Sequence, residues 1–471
     1  MIGISSYGAY VPRTRLPLAM IGGHPAKDGG PEKAVAWNDE DSVTMAVTAG
    51  VNCLEGLDRS VVDGVLFAST TYAFGEKQAS ALIARALDLR REVRTADYSG
   101  SLRAGTSALR AAFDAVTAGS ARNVLVIASD SRMAAPGSTL ETNFGDGAAA
   151  FLVSDTGAVA TLEGSHSVAD EIVDVWRSEG DPFVHSWEDR FVVQEGYIPR
   201  ISEAVEGLLE ATGSKLEDFT KLALYAPDAR SHRTVARAIG ASPEQLQDPL
   251  FGRLGNTGAA FAPMQLAAAL ETASSGARLL VASYGDGAEA LAFRVTDQLE
   301  KLDSRRGVGW HLERRRPATS YDGYLKARSL KTTEWDAGSA PGLSATVHFR
   351  ERDDDLSLRG QKCRNCSATQ FPAQRVCESC FARDDFESVR LSDRIGKVVT
   401  YTFDYFFPTP DPPTVVTVTE VDGARLHLQL VNCTPEETEI GLPVEFVFRR
   451  IHMGGGRPNY YWKGSPVPGE G

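Results

Sequence analysis

The sequence predicts a mixed α/β protein followed by a separate all-β part. Three observations support this prediction. The first 300 residues alternate short β-branched segments with alanine-rich segments whose apolar residues recur at helical spacing. Part of this pattern occurs twice. Beyond residue 390 the chain changes to the period-two alternation that is typical of a small antiparallel barrel.

The first half of the α/β region contains three buried strands and two helices. The strands are "VVDGVLFAS" (61–69), "NVLVIASD" (123–130) and "AAAFLVSD" (148–155). The helices are "ASALIARALDL" (79–89) and "GTSALRAAFDAVTAG" (105–119), whose apolar residues are three and four positions apart. Alternating strands and helices of this length are typical of layered α/β folds.

An internal repeat indicates that this α/β unit is duplicated. Three pairs of similar segments occur in the same order: "VDGVLFAST" (62–70) with "TKLALYAPD" (220–228), "TAGSARNVLVIASD" (117–130) with "TASSGARLLVASYGD" (272–286), and "FGDGAAAFLVSD" (144–155) with "YGDGAEALAFRVTD" (284–297). The last pair has a shorter offset, because the second copy lacks "SRMAAPGSTLETN" (131–143). We therefore expect two halves at about 1–160 and 161–300.

The rest of the chain divides by composition. Residues 297–320 are charged and irregular, and "YDGYLKARSL" (321–330) is helix-like, so we expect the α/β domain to end near residue 330. Residues 331–355 are predicted to be a linker arm. A zinc ribbon is expected over 356–390 and a β-barrel over 391–471.

Four strands are predicted in the barrel. They alternate apolar and polar residues and are separated by turn residues. Their sequences are "GKVVTYTFDYFF" (396–407), "PTVVTVTEVDG" (413–423), "ARLHLQLVNC" (424–433) and "LPVEFVFRRI" (442–451).

Four of the six cysteines form a metal-binding pattern. Two CxxC pairs separated by ten residues provide the four thiolates of a structural zinc site; they are Cys363, Cys366, Cys377 and Cys380. A redox pair, or a ribbon that has lost its metal, are the alternatives. Four cysteine ligands leave no open position on the metal, so the zinc is expected to be structural. Cys53 and Cys433 are expected to be packed thiols.

Composition argues against several other classes of protein. The net charge of −13 provides no basic surface for nucleic acid. No apolar segment reaches the roughly 18 residues of a membrane span, and the N-terminus "MIGISSYGAYVPRTRL" lacks the layout of a signal peptide. We therefore expect a cytoplasmic protein without a nucleic-acid or membrane partner.

The turn in "ADYSGSLRAGTSAL" (96–109) has the form of a nucleophile-bearing turn without the nucleophile. A predicted strand over 92–98 leads through a small polar turn into the helix. The free N–H groups and the dipole of a helix N-terminus favour negative charge, so enzymes place reactive groups there. The residue at this point is Leu102, which has no reactive group.

Several segments resemble the thiolase superfamily, specifically its 3-hydroxy-3-methylglutaryl-CoA (HMG-CoA) synthase and ketoacyl synthase III-like group. They are "GISSYGAYVPRTRL" (3–16), "DVWRSEGD" (174–181), "FGDGAAAFLVSD" (144–155), "GNTGAA" (255–260) and "YDGYLKARSL" (321–330). The resemblance covers about residues 1–330 and implies a duplicated five-layer αβαβα domain. Residues 345–471 resemble the zinc-ribbon plus OB-fold domain that accompanies such enzymes, usually as a separate chain.

The resemblance also implies that three catalytic positions are altered. Leu102 stands where the family has its acyl-accepting cysteine, and Ser101 beside it is a poor substitute because a neighbouring position on the turn points elsewhere. Tyr225 stands where the family has histidine, and Asp228 where it has asparagine. A family glutamate corresponds to the segment 69–71, which contains no acid.

Asn256 in "GNTG" is the one of these family positions that keeps the family residue. With the other three altered, two interpretations of the function remain. The first is an enzyme that makes or breaks a C–C bond beside a coenzyme A (CoA) thioester by aldol chemistry, without an acyl-cysteine. Tyr225 would be its acid/base, Asp228 a neighbouring charge, and Asn256 a donor to the enolate oxygen. Both residues also have a purely structural interpretation. Tyr225 would pack in the space that the family histidine occupies, and Asn256 would hydrogen-bond within its own loop.

The second reading is a non-catalytic CoA-binding scaffold or partner subunit. Loss of three catalytic positions together fits such a chain. Synthase-type acyl transfer is the least favoured function, because the nucleophile is missing. The expected ligands are an acyl-CoA thioester and structural Zn²⁺. The resemblance further implies a homodimer, or a heteromer with another thiolase-superfamily chain.

Overall fold

A computed structural model describes residues 1–303, 305–331, 344–407 and 409–467. The chain forms two compact units. The first comprises Met1–Ala36, Asp41–Ala84 and Leu89–Tyr321, and the second comprises Trp37–Glu40, Arg85–Asp88 and the chain from Asp322 onward. The domain limits expected from the sequence stay predictions.

The first unit contains a large mixed sheet and its covering helices. Its elements are β1 (Gly3–Tyr10), β2 (Thr14–Pro17), α1 (Leu18–Ile21), β3 (Glu32–Ala34), α2 (Ser42–Cys53), β4 (Gly64–Ala68), α3 (Ala79–Ala86, whose last two residues belong to the second unit), β5 (Arg94–Tyr98), α4 (Ala104–Thr117), β6 (Asn123–Asp130), α5 (Thr139–Asn143), β7 (Gly147–Ser154), β8 (Ala160–Ala169), β9 (Val175–Trp176), β10 (His185–Ser186), α6 (Asp189–Phe191), α7 (Ile198–Thr212), β11 (Lys221–Leu224), α8 (Ala229–Ala238), α9 (Phe261–Thr272), β12 (Arg278–Tyr284), β13 (Gly287–Val295), α10 (Val308–Glu313) and β14 (Arg316–Pro317).

The sheet shows the duplication that the sequence predicts. Its nine strands run in the order β11-β12-β13-β8-β1-β7-β6-β4-β5. In the first half β4 lies parallel to β6, and β6 is antiparallel to β7. In the second half β11 lies parallel to β12, and β12 is antiparallel to β13. The halves join through a short antiparallel pairing of β1 with β8, at Gly3 with Thr161 and Ile4 with Ala160.

Four helices complete the five layers. Helix α2 packs on β1, β6 and β7, and α7 packs on β8, β12 and β13. Between the strands of the two halves lie α4 and α9, which contact each other. Helix α9 is apolar on every side and almost entirely buried, as its central position requires. Gly105 permits this close approach, since a Cβ there would overlap the Ala259 carbonyl oxygen.

The second unit contains a ribbon and a closed barrel. Its elements are α11 (Tyr321–Ala327, whose first residue belongs to the first unit), α12 (Ala345–Ser357), β15 (Arg359–Cys363), β16 (Thr369–Gln370), β17 (Phe386–Arg390), β18 (Gly396–Asp404), β19 (Thr414–Val421), β20 (Ala424–Leu430), β21 (Pro443–Gly454) and β22 (Arg457–Pro466). The barrel closes in the order β18-β19-β20-β22-β21. The predicted fold class is confirmed, with a thiolase-like α/β domain, a zinc ribbon and a small β-barrel.

Three local expectations differ from the structure. Strand β22 is not among the predicted strands, because glycine and proline interrupt its alternation, yet it is needed to close the barrel. Residues 345–355 of the expected linker form most of α12, and residues 332–343 of the linker lie outside the described residues. The irregular segment 297–320 contains the short helix α10.

No helix within the described ranges has the length and apolar character needed to cross a bilayer.

Candidate active site and zinc site

A cavity of about 320 Å³ lies at the N-terminal end of α4, within the first unit. The turn before α4 forms part of its wall, and polar and charged side chains form much of the rest. The lining residues that matter for chemistry are Thr70, Thr71, Leu102, Arg132, Asp174 and Arg177. The site therefore contains ionisable groups even though the expected nucleophile position is apolar.

The turn before α4 presents backbone rather than a reactive side chain. Leu102 is 7% exposed and packs in an apolar cluster. The Ser101 Oγ donates a hydrogen bond to the Gly285 carbonyl (3.0 Å), which is not a group that acts as a general base. Within the described part of the chain, the Leu102 N–H donates to no acceptor. A Cβ on Gly285 would lie 2.8 Å from this nitrogen, so glycine there keeps the amide uncovered.

Tyr225 and Asn256 are brought together, as a shared site requires. The Asn256 Nδ2 donates to the Tyr225 hydroxyl (3.2 Å) and to the Ala226 carbonyl (2.9 Å). Its Oδ1 accepts from the Gly258 N–H (2.9 Å), so Asn256 also ties down its own loop. Burial raises the pKa of Tyr225, against the opposing effects of Arg132 and the Asn256 hydrogen bond. Neither side chain lines the cavity.

Asp228, predicted to be a charge beside Tyr225, caps a helix in the structure. It is the N-cap of α8, where its Oδ1 accepts from the N–H groups of Arg230 (2.7 Å) and Ser231 (2.9 Å). Its charge raises the pKa of Tyr225, which is the opposite of activating a phenol as a base. Asp228 is thus a capping residue in this structure.

Asp130, at the end of β6, holds two loops of the site together. Its carboxylate is fully buried and accepts five hydrogen bonds. Four donors come from the loop after β4: the hydroxyls of Ser69, Thr70 and Thr71 and the Thr70 N–H. The fifth is the Ala259 N–H, at 2.7 Å, in the loop before α9.

Arg132 is a buried cation on the cavity wall. It is 5% exposed, and its guanidinium lies 4.1 Å from the centroid of the Phe144 ring. Burial lowers the pKa of Arg132, while the nearby Tyr225, Asp130 and Asp174 oppose that shift.

Asp174 is a half-buried carboxylate on the same wall. Burial is the largest influence on the pKa of Asp174 and raises it, and the charge of Asp286 acts in the same direction. The hydrogen bond from the Val175 N–H opposes the shift. A carboxyl with a raised pKa in a cavity is suited to exchanging protons with a ligand.

The sequence did not single out Arg132 or Asp174. Arg132 lies in the segment 131–143, which the second half lacks. This insertion is the feature of the sequence from which a role for Arg132 could have been predicted. Asp174 begins "DVWRSEGD", which carried part of the family resemblance but suggested no chemical role.

The four predicted zinc ligands converge in the second unit. Their sulfur atoms all lie within 4.8 Å of one another. The Cys363–Cys380 and Cys366–Cys377 sulfur pairs are both 3.6 Å apart. A tetrahedral zinc with bonds of about 2.3 Å requires sulfur separations of about 3.8 Å. The donor set therefore fits a structural zinc ion.

Local backbone geometry explains how the two CxxC segments form equivalent turns. The Cys363 N–H donates to Ala368 and the Cys377 N–H to Ala382, at 2.8 and 2.9 Å. Each turn then has one residue with positive φ, Ser367 at 64° and Phe381 at 61°.

The two cysteines outside the zinc site are packed to different degrees. Cys53 is fully buried, and burial raises the pKa of its thiol to about 12. Cys433 is half-buried.

Comparison with protein families agrees with the fold. Residues 97–170 match the 3-oxoacyl-[acyl-carrier-protein] synthase III family, and residues 209–295 match its C-terminal domain. Residues 350–387 match the ChsH2 rubredoxin-like zinc ribbon domain. These matches, together with the duplicated five-layer unit, define a thiolase-superfamily protein with an appended zinc ribbon.

Similar proteins identify the family more closely. The hydroxymethylglutaryl-CoA synthase of Methanopyrus kandleri is 33% identical over 314 residues, covering 64% of this chain and 89% of that protein. The enzyme of the same name from Archaeoglobus fulgidus is 32% identical over 341 residues, covering 70% and 98%. The chain belongs to the hydroxymethylglutaryl-CoA synthase family.

Solved structures show the same fold. An HMG-CoA synthase complexed with CoA matches with a TM-score of 0.65 at 20% identity, covering 73% of this chain and 94% of that one. The 3-oxoacyl-[acyl-carrier-protein] synthase III of Aquifex aeolicus matches with a TM-score of 0.57 at 21% identity, covering 62% and 100%.

Proposed function

We propose that this chain is an acyl-CoA enzyme that makes or breaks a C–C bond beside a thioester by aldol chemistry, without an acyl-cysteine. The observation that carries the proposal is the cavity at the start of α4. It stays open and has ionisable groups on its wall, although Leu102 stands at the nucleophile position. The family relationship makes a CoA thioester the expected ligand, since a structural relative was solved with CoA.

The uncovered Leu102 N–H is suited to stabilising the thioester enolate. Aldol cleavage leaves negative charge on the thioester oxygen, and a helix N-terminus with a free N–H stabilises such charge. The helix behind this amide, α4, is 14 residues long. The turn can therefore act on an oxyanion although it has no nucleophile.

Asp174 is our candidate for the proton transfers. In the cleavage direction its carboxylate takes the proton of the β-hydroxyl group. The Cα–Cβ bond then breaks, the β-carbon becomes a carbonyl, and the electron pair forms the enolate. Protonated Asp174 returns the proton to Cα, so that a shortened acyl-CoA forms and the enzyme is regenerated. Condensation is the same sequence in reverse.

Tyr225 is the competing acid/base. It pairs with Asn256 beside the cavity, but it does not line the cavity, whereas Asp174 does. We therefore assign Tyr225 and Asn256 to positioning the loop before α9, and Asp174 to the chemistry. The two assignments predict different variant phenotypes.

The test is turnover of a panel of 3-hydroxyacyl-CoA thioesters, with products identified by mass. We expect a carbonyl compound and a shortened acyl-CoA. Asp174→Asn is expected to lower kcat by about 10²–10⁴-fold, and to abolish hydrogen–deuterium exchange at Cα of the product acyl-CoA. Tyr225→Phe is expected to retain that exchange, and the exposed Asp189→Asn serves as the matched control.

The opposite pattern, in which Tyr225→Phe loses both activities and Asp174→Asn keeps them, would transfer the acid/base role to Tyr225. Binding of CoA esters without turnover or exchange would instead favour a scaffold that associates with an active thiolase-superfamily chain. We propose self-association or such a heteromer as the working assembly, and light scattering with and without the second chain distinguishes them.

A further inference from the structure

Arg132 is a buried cation without a partner among the described residues. Its guanidinium makes no hydrogen bond and no ion pair with that part of the chain, and it lies against the face of the Phe144 ring. Burying a charge costs free energy unless the charge is paired, and Arg132 is only 5% exposed. The side chain also lines the cavity at the start of α4, so a ligand in that cavity can supply the missing partner.

The nearby carboxylates leave the charge of Arg132 available. Asp130 is committed to the five hydrogen bonds that join the loops after β4 and before α9. Asp174 lines the same cavity as Arg132 and their charges interact, but these two side chains, both within the described residues, form no ion pair. A ligand oxygen can therefore lie between a cation and a carboxylate that do not pair with each other.

Arg132 is better suited than Arg177, a second arginine on the cavity wall, to act on a reacting oxygen. Arg177 is exposed, and its Nη2 already donates to the Thr70 carbonyl (2.9 Å). A Cβ on Gly258 would lie 2.7 Å from the Arg132 Cδ, so this glycine leaves space for the buried side chain. The Phe144 ring supports the guanidinium at 4.1 Å from its centroid. A fixed cation that is shielded from water stabilises developing negative charge more strongly than a mobile cation at the surface.

We propose that Arg132 is a catalytic residue that binds the oxygen on the β-carbon of the acyl group. This inference rests on the proposed function, in which Asp174 exchanges a proton with that oxygen. Because Asp174 and Arg132 line one cavity, an oxygen within reach of the carboxylate lies close to the guanidinium. The two reacting oxygens then have separate donors, the Leu102 N–H for the thioester oxygen and Arg132 for the β-oxygen.

The charge on the β-oxygen changes during the reaction, and Arg132 stabilises it where it is largest. In the cleavage direction, negative charge develops on this oxygen as Asp174 takes its proton. The O–H electron pair becomes the π bond of the new carbonyl, the Cα–Cβ pair forms the enolate, and the charge passes to the thioester oxygen. In condensation, Arg132 polarises the carbonyl that the enolate attacks and stabilises the alkoxide until Asp174 protonates it. Arg132 donates hydrogen bonds throughout and keeps its own protons.

Isotope-edited infrared spectroscopy of a bound ligand tests this assignment without turnover. The probe is 3-oxopentanoyl-CoA in its keto form, labelled with ¹³C either at the thioester carbonyl (C1) or at the β-carbonyl (C3). We expect the C3 band to move to lower frequency when the ligand binds the full-length wild type, because Arg132 polarises that bond. Arg132→Met should lose the C3 shift and keep the C1 shift, and Arg132→Lys should keep part of the C3 shift. The exposed Arg91→Met is the matched control and should keep both shifts.

Turnover of 3-hydroxyacyl-CoA thioesters provides a second measurement. Arg132→Met is expected to lower kcat by about 10²–10³-fold, with a smaller change in KM, because the charge on the β-oxygen develops in the transition state. A variant that raised KM and left kcat unchanged would contradict this role.

The outcomes separate this inference from the proposed function. A C1 band that shifts in the wild type while the C3 band does not would overturn the assignment of Arg132 and leave the enolate site intact. Loss of the C1 shift instead of the C3 shift in Arg132→Met would place Arg132 at the thioester oxygen and would also overturn it. A C3 shift without turnover would support the binding of the β-oxygen by Arg132 and contradict the proposed lyase. Failure of the thioester to bind the wild type would overturn both proposals.

Discussion

Replacing Asp130 by asparagine tests whether one carboxylate organises the site. Asparagine has one acceptor oxygen, whereas Asp130 accepts at two. Oδ1 accepts from the Ser69 and Thr71 hydroxyls and the Thr70 N–H, and Oδ2 accepts from the Ala259 N–H and the Thr70 hydroxyl. The hydroxyls can rotate to other partners, but the two N–H groups cannot. In either orientation, the new NH₂ group faces one of these backbone donors.

The magnitude follows from this geometry. Losing a hydrogen bond to a charged acceptor costs about 1.5–3 kcal/mol, and leaving a buried N–H without an acceptor costs about 1–3 kcal/mol more. We therefore expect Asp130→Asn to lower the free energy of unfolding of the first unit by about 3–5 kcal/mol.

The assay is urea unfolding followed by tryptophan fluorescence, with Asp114→Asn as the control. Asp114 lies on exposed α4 surface and pairs with Arg110 four residues earlier, so the same loss of charge there should cost less than about 0.5 kcal/mol. A cost below about 1 kcal/mol for Asp130→Asn, or equal costs for the two variants, would refute the view that Asp130 holds the loops together.

Three further predictions concern other buried groups. Cys377→Ser, or zinc removal by a chelator, should unfold the ribbon while the first unit keeps its own calorimetric transition; a single unchanged melting profile would contradict a structural role for zinc. Burial lowers the pKa of His311 to about 3 and that of His232 to about 4, so both stay neutral when folded and take up protons when the chain unfolds below pH 6.5. Stability is then fully present above pH 6.5 and is lost as the pH falls, by about 1.4 kcal/mol per histidine at pH 5.5; urea unfolding at pH 8 and 5.5 measures this, and His232→Gln should remove part of the loss. Arg132→Met should raise the thermal stability of the ligand-free protein by about 1–4 kcal/mol, because it removes an unpaired buried charge; a lowered melting temperature would indicate that this charge already has a stabilising partner.

Local sequence patterns predict those parts of the structure that are determined by residues close together in the chain. The strand 123–130 was predicted with the bounds that β6 has, because apolar β-branched residues fill it and polar residues flank it. The zinc ligands follow from spacing within one short segment. By contrast, β22 depends on partners in the barrel that override its glycine and prolines, and no local pattern signals it.

The candidate site was less predictable, because its residues meet only through the tertiary fold. Asn256 and Tyr225 were found through the family resemblance, and the structure does bring them into contact. The ionisable residues that line the cavity include Arg132 and Asp174. They come from two segments of the first unit, and no sequence pattern indicates that these segments lie close together. The capping contact of Asp228 could have been predicted from the sequence, since an aspartate directly before a helical segment is a typical N-cap.

The turn before α4 combines two properties that need not occur together. One is a nucleophilic side chain, which acyl transfer requires and which Leu102 lacks. The other is a helix N-terminus with an uncovered N–H, which stabilises an oxyanion whatever side chain the residue has. Replacing cysteine by leucine removes the first property and leaves the second intact. Enolate chemistry needs only the second property, so the function that we propose is compatible with leucine at this position.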